Sequence, residues 1–390
     1  MELLEAATRV LAEPVVADRN FPPFARATRD GYAVRAADLA RLPASLKVVG
    51  EIKAGTAASP SLHLQLGQAA AIMTGAPAPP GADAVVMVEY TSETGGMVEI
   101  AKGVSPGENI VPAGAEAQRG SRLLAAGIRL DHAAIAVAAS AGKTHLQVYA
   151  KPRVAVLATG DEIVELEVLP GPTQIRNSNS YSLAAQIQAA SGEPVLLPVA
   201  ADEPNHLREL ISEGLEADLL LLTGGVSMGK HDLVEQVLAE LGAEFFFTGA
   251  LIRPGRPIVF GRVARAAESG RASIAAPKHT YFFGLPGNPV STMVTFELFV
   301  RPVLDALCGM TPRKLVFLYA KLKTEIRTKT GLKRFLPAVL SGEFEQAEVE
   351  LVPWQGSGDI VATARANCYI VVPADRERLP AGEWVAVLKG

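Results

Sequence analysis

Two kinds of apolar pattern alternate along the second half of the chain. RVAVLAT, from Arg153, is an apolar run without polar alternation, as a parallel strand buried on both faces requires. A helical stretch over about 180–190 follows, opened by Asn and Ser and closed by Gly192. The order continues with strand EPVLLPVA, helix PNHLRELISEGL, strand ADLLLLTGG and helix DLVEQVLAEL. Then come strands EFFFTGAL, PIVFGRV and TYFFGLPGNP, and helix VSTMVTFELFVRPVLDAL. Strands alternating with helices at this spacing predict a doubly wound α/β domain.

The flanking regions read differently. Leu3, Leu4, Ala7, Val10 and Leu11 fall on one helical face, so the first ~20 residues are expected to be helical until Pro14, Pro22 and Pro23 intervene. Short apolar runs separated by Gly and Pro follow as far as Glu116: LKVVGEI, AAAIMTG, ADAVVMVEY and GMVEIAK, an antiparallel β module. A further helix is expected over 131–141, with Asp131 as N-cap and Gly142 just past its end, packing back on the N-terminal one. From Thr311 short strands and Gly/Pro turns return, a small separate β domain.

Composition narrows the class. The 390 residues carry 37 Lys plus Arg against 41 Asp plus Glu, a net charge of −4, so no global field draws the protein to nucleic acid or an anionic membrane. Apolar residues at 49% exclude a disordered chain. No window approaches the ~20 uncharged apolar residues of a spanning helix. Glu2 and Glu5 replace the basic start of a signal peptide, which leads to the expectation of a cytoplasmic protein. Cys308 and Cys368, far apart and without a CxxC partner, suggest buried thiols rather than a disulfide or zinc site.

In an open α/β sheet, ligands sit beyond the carboxyl ends of the strands. Five loops leave strands there. In LLLLTGGVSMGKHD, Thr223, Gly224 and Gly225 let the backbone approach a ligand, and Asp232 caps the next helix or holds a cation. VLATGDEI presents Thr159, Gly160, Asp161 and Glu162, and paired carboxylates beside a phosphate suit Mg²⁺. In QIRNSNSYS, Asn177 and Asn179 contact a ligand, or Asn179 or Ser180 caps the helix. LIRPGRP brackets a stiff turn with Arg253 and Arg256, a fork suited to an oxyanion. GLPGNPVS places Asn288 as an N-cap before Pro289. Elsewhere Asp30 precedes Gly31, Thr74 and Gly75 follow a strand, and Ser357 lies between two glycines; each alone is a turn. There is no GxxxxGK[ST] loop and no HExxH helix, and the six histidines are scattered.

DGYAV, IMTGAP, VLATGDEI, TGGVSMGKHD, RPGRP, GLPGNPVS and GSGD occur in the order seen in the molybdopterin molybdenumtransferases, the MoeA family that includes the E domain of gephyrin. The resemblance covers essentially the whole chain. It implies four parts: a discontinuous helical dimerisation domain over 1–20 and 118–150, a β-rich domain over 21–117, a molybdopterin-binding α/β domain over 151–311, and a C-terminal β barrel over 312–390. It also implies a homodimer, Mg²⁺, molybdate and adenylylated molybdopterin as substrates, and an upstream adenylyltransferase as a partner. Molybdate would be inserted with release of AMP.

On that resemblance Gly224, Gly225 and Ser227 would cradle the pterin phosphate or the anhydride, with Thr159, Gly160, Asn177, Asn179, Thr223, Pro286, Gly287, Asn288 and Ser291 around the ligand. Asp161, Glu162 and Asp232 would hold Mg²⁺ or the attacking water, joined by Asp30 of a partner subunit and by Thr74. Arg253, Arg256 and Ser357 would form the molybdate pocket. The chain departs from the family pattern at Arg29, at Val111 with Glu116, at Asn177, at the two arginines of RPGRP, and at Pro337, which leaves Arg334 as the nearest cation. Two other readings are a nucleotide pyrophosphatase related to competence-damage-type hydrolases and a scaffold that binds molybdopterin without turnover.

Overall fold

A computed structural model describes residues 1–55, 62–225, 233–264 and 279–389. The chain divides into two compact units, Met1–Val148 and Tyr149–Gly390. Among the described residues no helix is long and apolar enough to cross a membrane.

The first unit is built on a six-stranded sheet. Its strands are β1 (Gly31–Val34), β2 (Ala44–Ile52), β3 (Gln68–Ile72), β4 (Ala84–Met87), β5 (Thr91–Thr94) and β6 (Met97–Ile100). The spatial order is β4-β1-β3-β2-β6-β5. The period-2 pattern divides its side chains: Val34, Leu46, Val86 and Ile100 fill one core, and Ala33, Ile52, Ala70 and Val85 another. The expected all-antiparallel module needs one correction, because β2 and β3 pair in parallel. Residues 53–67 join them, and a connection of a dozen or more residues is the length a parallel crossover requires.

Helix α1 (His132–Ser140) is capped as expected: Asp131 Oδ1 accepts from the Ala134 N–H at 2.8 Å, and Gly142 follows with φ 71°. The N-terminal helix does not form. Residues 3–8 are turns, and Thr8 takes φ 68°. The reason lies in the backbone partners. Thr8 N–H donates to Leu130 O at 2.8 Å and Leu11 N–H to Ile128 O at 2.9 Å, so a neighbouring segment takes donors that a helix would use internally. The apolar residues still bury, with Leu11 and Val15 packed against Leu130, Ala134 and Ala138.

The second unit begins with the α/β layer. Its elements are β7 (Arg153–Ala158), α2 (Ser178–Ala189), β8 (Glu193–Leu196), α3 (Pro204–Gly214), β9 (Leu219–Thr223), α4 (Leu233–Glu240), β10 (Glu244–Phe247), β11 (Ile252–Arg253), β12 (Val259–Ala264) and β13 (His279–Leu285). Strand order is β8-β7-β9-β13-β12-β10, the first four parallel and the last two antiparallel. Val154–Ala158 and Leu219–Thr223 are buried throughout, the reason their sequences show no alternation. After β13 the chain runs through α5 (Pro289–Thr295), a π-helical turn at Phe296–Val300 and α6 (Arg301–Leu307).

The C-terminal part is a closed barrel of β14 (Phe317–Leu322), β15 (Lys333–Ser341), β16 (Glu348–Leu351), β17 (Cys368–Val372) and β18 (Trp384–Lys389), with α7 (Ile360–Arg365) before β17. The circuit β15-β16-β14-β18-β17 closes through the β15–β17 pairing, and β11 adds to the edge of β15. Both cysteines are buried, as expected. The multidomain α/β-plus-β class read from the pattern is the class observed.

Candidate functional site

Strands β7, β9 and β13 lie side by side in register, so Thr159, Thr223 and the turn after Leu285 leave one edge of the sheet together. Gly224 and Gly225 follow Thr223 at φ 92° and 61°. A Cβ on Gly224 would lie 2.3 Å from the Thr159 carbonyl oxygen, and one on Gly225 2.8 Å from Thr159 Oγ1. Only glycine allows the two loops to approach this closely in this backbone conformation. Gly287 closes the third side, where a Cβ would lie 3.5 Å from the Gly224 Cα.

Asn179 ties these loops together. Its Nδ2 donates to Thr223 Oγ1 at 2.9 Å and to Gly287 O at 2.8 Å. Those two donations fix the orientation of the amide. They leave Asn179 Oδ1 buried and, like Thr159 Oγ1 nearby, without a partner among the described residues. Such atoms cost about 1–3 kcal/mol each when left unmade, so two beside one glycine loop mark a place for polar ligand atoms. The helix is capped by Asn177, whose Oδ1 accepts from Ser180 N–H at 3.1 Å. That corrects the expected capping by Asn179 or Ser180.

The carboxylates are less gathered. Asp161 and Glu162 are both exposed. Asp161 Oδ1 accepts from Asp202 N–H at 3.1 Å, and the Glu162 carboxylate folds back over Gly160, whose φ is 132°. Ser227 and Asp232 lie outside the described residues. Among the described residues no three His, Cys, Asp or Glu side chains stand close enough to hold a metal ion. Two solvent-facing carboxylates at a strand end are nevertheless the donor set Mg²⁺ takes when substrate oxygens and water complete its shell.

A second locus adjoins the first through Gly287 and Asn288. It is a cavity of about 550 Å³ between the RPGRP turn, the start of α5 and the barrel. Arg253, Arg256 and Arg334 line it, with Asn288, Ser291 and Ser357. Gly255 permits the turn at φ 103°, since a Cβ there would lie 2.4 Å from Thr295 Cγ2. Arg334 is brought in by register: it pairs with Arg253 in the parallel β11–β15 contact. Burial, and then the Arg253 charge, lower the Arg334 guanidinium below its ordinary value. Arg334 donates only to Lys329 O, at 3.2 and 3.0 Å, and none of the three arginines makes an ion pair among the described residues. Three guanidiniums without an ion pair among the described residues, set around hydroxyls, have the chemistry that suits a multiply charged oxyanion.

Several expectations resolve here. Asn288 occupies the N-cap position of α5, but its side chain makes no capping bond and lines the cavity instead. Ser357 O accepts from Val290 N–H at 3.0 Å, fastening the barrel loop to the start of α5. Pro337 is buried within β15, paired opposite Tyr369, and Arg334 is the cation that β15 contributes. Trp354 and Gln355, which also line the cavity, were not singled out from the sequence; their only signal is proximity to Ser357.

In the first unit, Asp30 and Thr74 do meet. Asp30 Oδ1 accepts from Thr74 N–H at 2.6 Å and from Thr74 Oγ1 at 2.8 Å, and these bonds hold the carboxyl below its usual range. Gly31, just after it, lies so near β4 that a Cβ would collide with Val86 O. Val111 pairs with Arg26 across a short ladder, and Glu116 forms an exposed ion pair with Arg26 at 2.9 Å.

Comparison with known proteins gives a consistent picture. Family models described as the MoeA N-terminal region (domain I and II), a probable molybdopterin binding domain, and the MoeA C-terminal region (domain IV) match residues 1–142, 155–306 and 319–389. A molybdopterin molybdenumtransferase of Nostoc sp. is 36% identical, covering 100% of this chain and 88% of its own length. One from Bacillus subtilis is 33% identical over 99% of this chain and 88% of its length. A crystal structure of the molybdopterin biosynthesis moeA protein from Pyrococcus horikoshii matches with a TM-score of 0.77 at 30% identity, covering 100% of this chain and 94% of that one.

Proposed function

The chain belongs to the molybdopterin molybdenumtransferase family, transferases of molybdenum cofactor biosynthesis, and from that premise we propose that it inserts molybdate into adenylylated molybdopterin with release of AMP. The observation that carries this reading is the continuity of the two loci. The glycine cradle ends at Gly287, and the next residue, Asn288, lines a cavity whose three arginines make no ion pair among the described residues. One substrate combining a pterin phosphate with a reacting oxyanion matches that arrangement.

In this reading Gly224 and Gly225 offer backbone to the pterin phosphate or the anhydride, and Thr159 and Asn179 supply beside them polar atoms that have no partner among the described residues. Arg253, Arg256 and Arg334 with Ser357 receive molybdate, whose double negative charge a carboxylate lining would repel. Asp161 and Glu162, with Asp232, would hold Mg²⁺, which when bound would supply positive charge to offset the charge developing on the phosphate. Asp30, already ionised and oriented by Thr74, would act from the partner subunit of a homodimer on the same substrate. The four-part division, a cytoplasmic location and supply of substrate by an adenylyltransferase belong to the same proposal.

A nucleotide pyrophosphatase would use the cradle and the carboxylates but leaves the arginine cavity, built partly by the barrel, without a task. The test is incubation of purified protein with adenylylated molybdopterin, molybdate and Mg²⁺. AMP and active molybdenum cofactor are expected together. AMP without cofactor, independent of molybdate, identifies the pyrophosphatase, and ligand binding with neither product identifies a scaffold.

A further inference from the structure

A second cavity, of about 860 Å³, shares no lining residue with either locus and lies between α2, the α5–α6 helix and the barrel. Nothing in the proposed reaction uses it. Its floor is polar and organised. Glu297 sits in the π-helical turn, a widened turn that often marks functional places. The Glu297 side chain is 12% exposed, and it accepts from Gln186 Nε2 at 2.9 Å and from Arg301 at 3.3 Å. Gln186 Nε2 also donates to Met293 O at 3.2 Å, so its Oε1 is left buried with no partner among the described residues. Beside them stands Tyr369, 6% exposed, whose hydroxyl makes no hydrogen bond among the described residues although it lines the cavity.

Burial, reinforced by the Glu297 charge, pushes the Tyr369 phenol up to about 12, so at neutral pH it is a hydrogen-bond donor. Each Glu297 oxygen has one bond and keeps a lone pair. A donor and an acceptor therefore stand together at the bottom of the cavity. Ala185, Ala189, Met293 and Leu388 supply apolar wall. The rim carries Lys314 and Lys389, neither of them ion-paired among the described residues, and Arg313, 4.0 Å from Asp305.

We infer that this cavity binds an adenine nucleoside monophosphate. The amino group and adjacent ring nitrogen of adenine meet Glu297 and Tyr369, the ring lies on the apolar wall, and the phosphate meets the lysine rim. The chemistry is that of a planar heterocycle with adjoining donor and acceptor, joined to an anion. AMP released by the proposed reaction belongs to this class; only that identification of the physiological source rests on the proposed function.

Photolabelling with 8-azido-AMP, in the full protein without molybdopterin, tests it by peptide mapping. Label is expected in peptides spanning 182–189, 293–305 or 363–389, displaced by AMP. Tyr369→Phe, which keeps the packing, should weaken that labelling about tenfold. Lys314→Glu with Lys389→Glu, both exposed, should weaken it by on the order of 100-fold. Label confined to the loops at 159–162, 177–179 and 223–225 overturns this inference while leaving the proposed function standing. Absence of label, or labelling of the cavity peptides unchanged in the lysine variant, overturns it as well.

Discussion

The glycine cradle and the arginine cavity share one wall, yet they are built on opposite principles. The cradle carries no charged side chain among Thr159, Asn179, Thr223, Gly224, Gly225 and Gly287, and it is held by close backbone approach and one bridging amide. The cavity holds three guanidiniums, with the Arg253 charge acting against that of Arg334, and its shape comes from a stiff turn and a strand register. A preorganised neutral surface recognises the outline of a ligand, whereas uncompensated charge recognises an ion and stays strained until the ion arrives. Damage to the first should therefore strike structure and adenylate binding together. Damage to the second should strike molybdate use while sparing the fold.

The sharpest way to break this contrast is Gly224→Ala. The new Cβ would be 2.3 Å from a backbone oxygen at φ 92°, and neither atom has a flexible side chain to yield. A destabilisation of about 2 kcal/mol or more is expected, with turnover reduced by at least about 100-fold because the loop can no longer lie against Thr159. Gly142→Ala is the control. It has a similar φ of 71° but nothing within 4 Å, so it should lose about 1 kcal/mol and keep activity. Equal activity loss in the two variants, measured as AMP release beside thermal unfolding, would remove the cradle from the site.

Next in size is the arginine pair. Arg253→Ala and Arg334→Ala should each raise the molybdate concentration for half-maximal rate by about 10- to 100-fold, the range of one lost charge-assisted contact of ~1.5–3 kcal/mol. Affinity for adenylylated molybdopterin should hardly change. Stability without molybdate should not fall for Arg253→Ala, which relieves repulsion on Arg334, whereas Arg334→Ala also loses the bonds to Lys329 O and should cost about 1 kcal/mol. A drop in melting temperature with an unchanged molybdate dependence would reverse the assignment. Asn179→Ala is milder and points the other way. It strips a donor from Thr223 Oγ1 and from Gly287 O, so adenylylated molybdopterin should bind about tenfold more weakly while molybdate dependence stays as it was.

The contrast also explains what could be read without a structure. The α/β layer was legible because strands buried on both faces must be continuously apolar, as Leu219–Leu222 are. The cap at Asp131 was legible because capping is local. The N-terminal helix was misread because the same apolar spacing serves a turn segment whose donors are taken by Ile128 and Leu130, distant in sequence. The β2–β3 direction was invisible because alternation has the same period in parallel and antiparallel pairs. The glycines of the cradle announced themselves; the bridging role of Asn179 did not, since a helix cap uses the same residue type. Arg334 was only a nearby cation in the sequence, and the register that sets it beside Arg253 is a tertiary fact.

The smallest predicted effect separates charge that recognises from charge that positions. Asp359 lies at the start of α7 and accepts from Ala362 N–H at 2.9 Å and Gln355 N–H at 3.0 Å, which closes the loop carrying Ser357. Those bonds, the Ala362 one foremost, hold its carboxyl below the ordinary 3.8. Because the folded value is the lower one, the stabilisation is complete above 3.8 and is lost as pH falls through the lowered value. Molybdate affinity should therefore owe no pH dependence to this group between neutrality and about pH 4. Asp359→Asn keeps an acceptor for Ala362 and should cost less than Asp359→Ala, for which weakening on the order of threefold is expected from a loosened Ser357 loop. Molybdate titrations of both variants at pH 7 and pH 5 check this. A molybdate affinity that falls from pH 5 to pH 7 in the wild type, and that Asp359→Asn makes independent of pH, would mean that Asp359 faces the oxyanion directly, and the cavity would then contain a counter-charge to its three arginines.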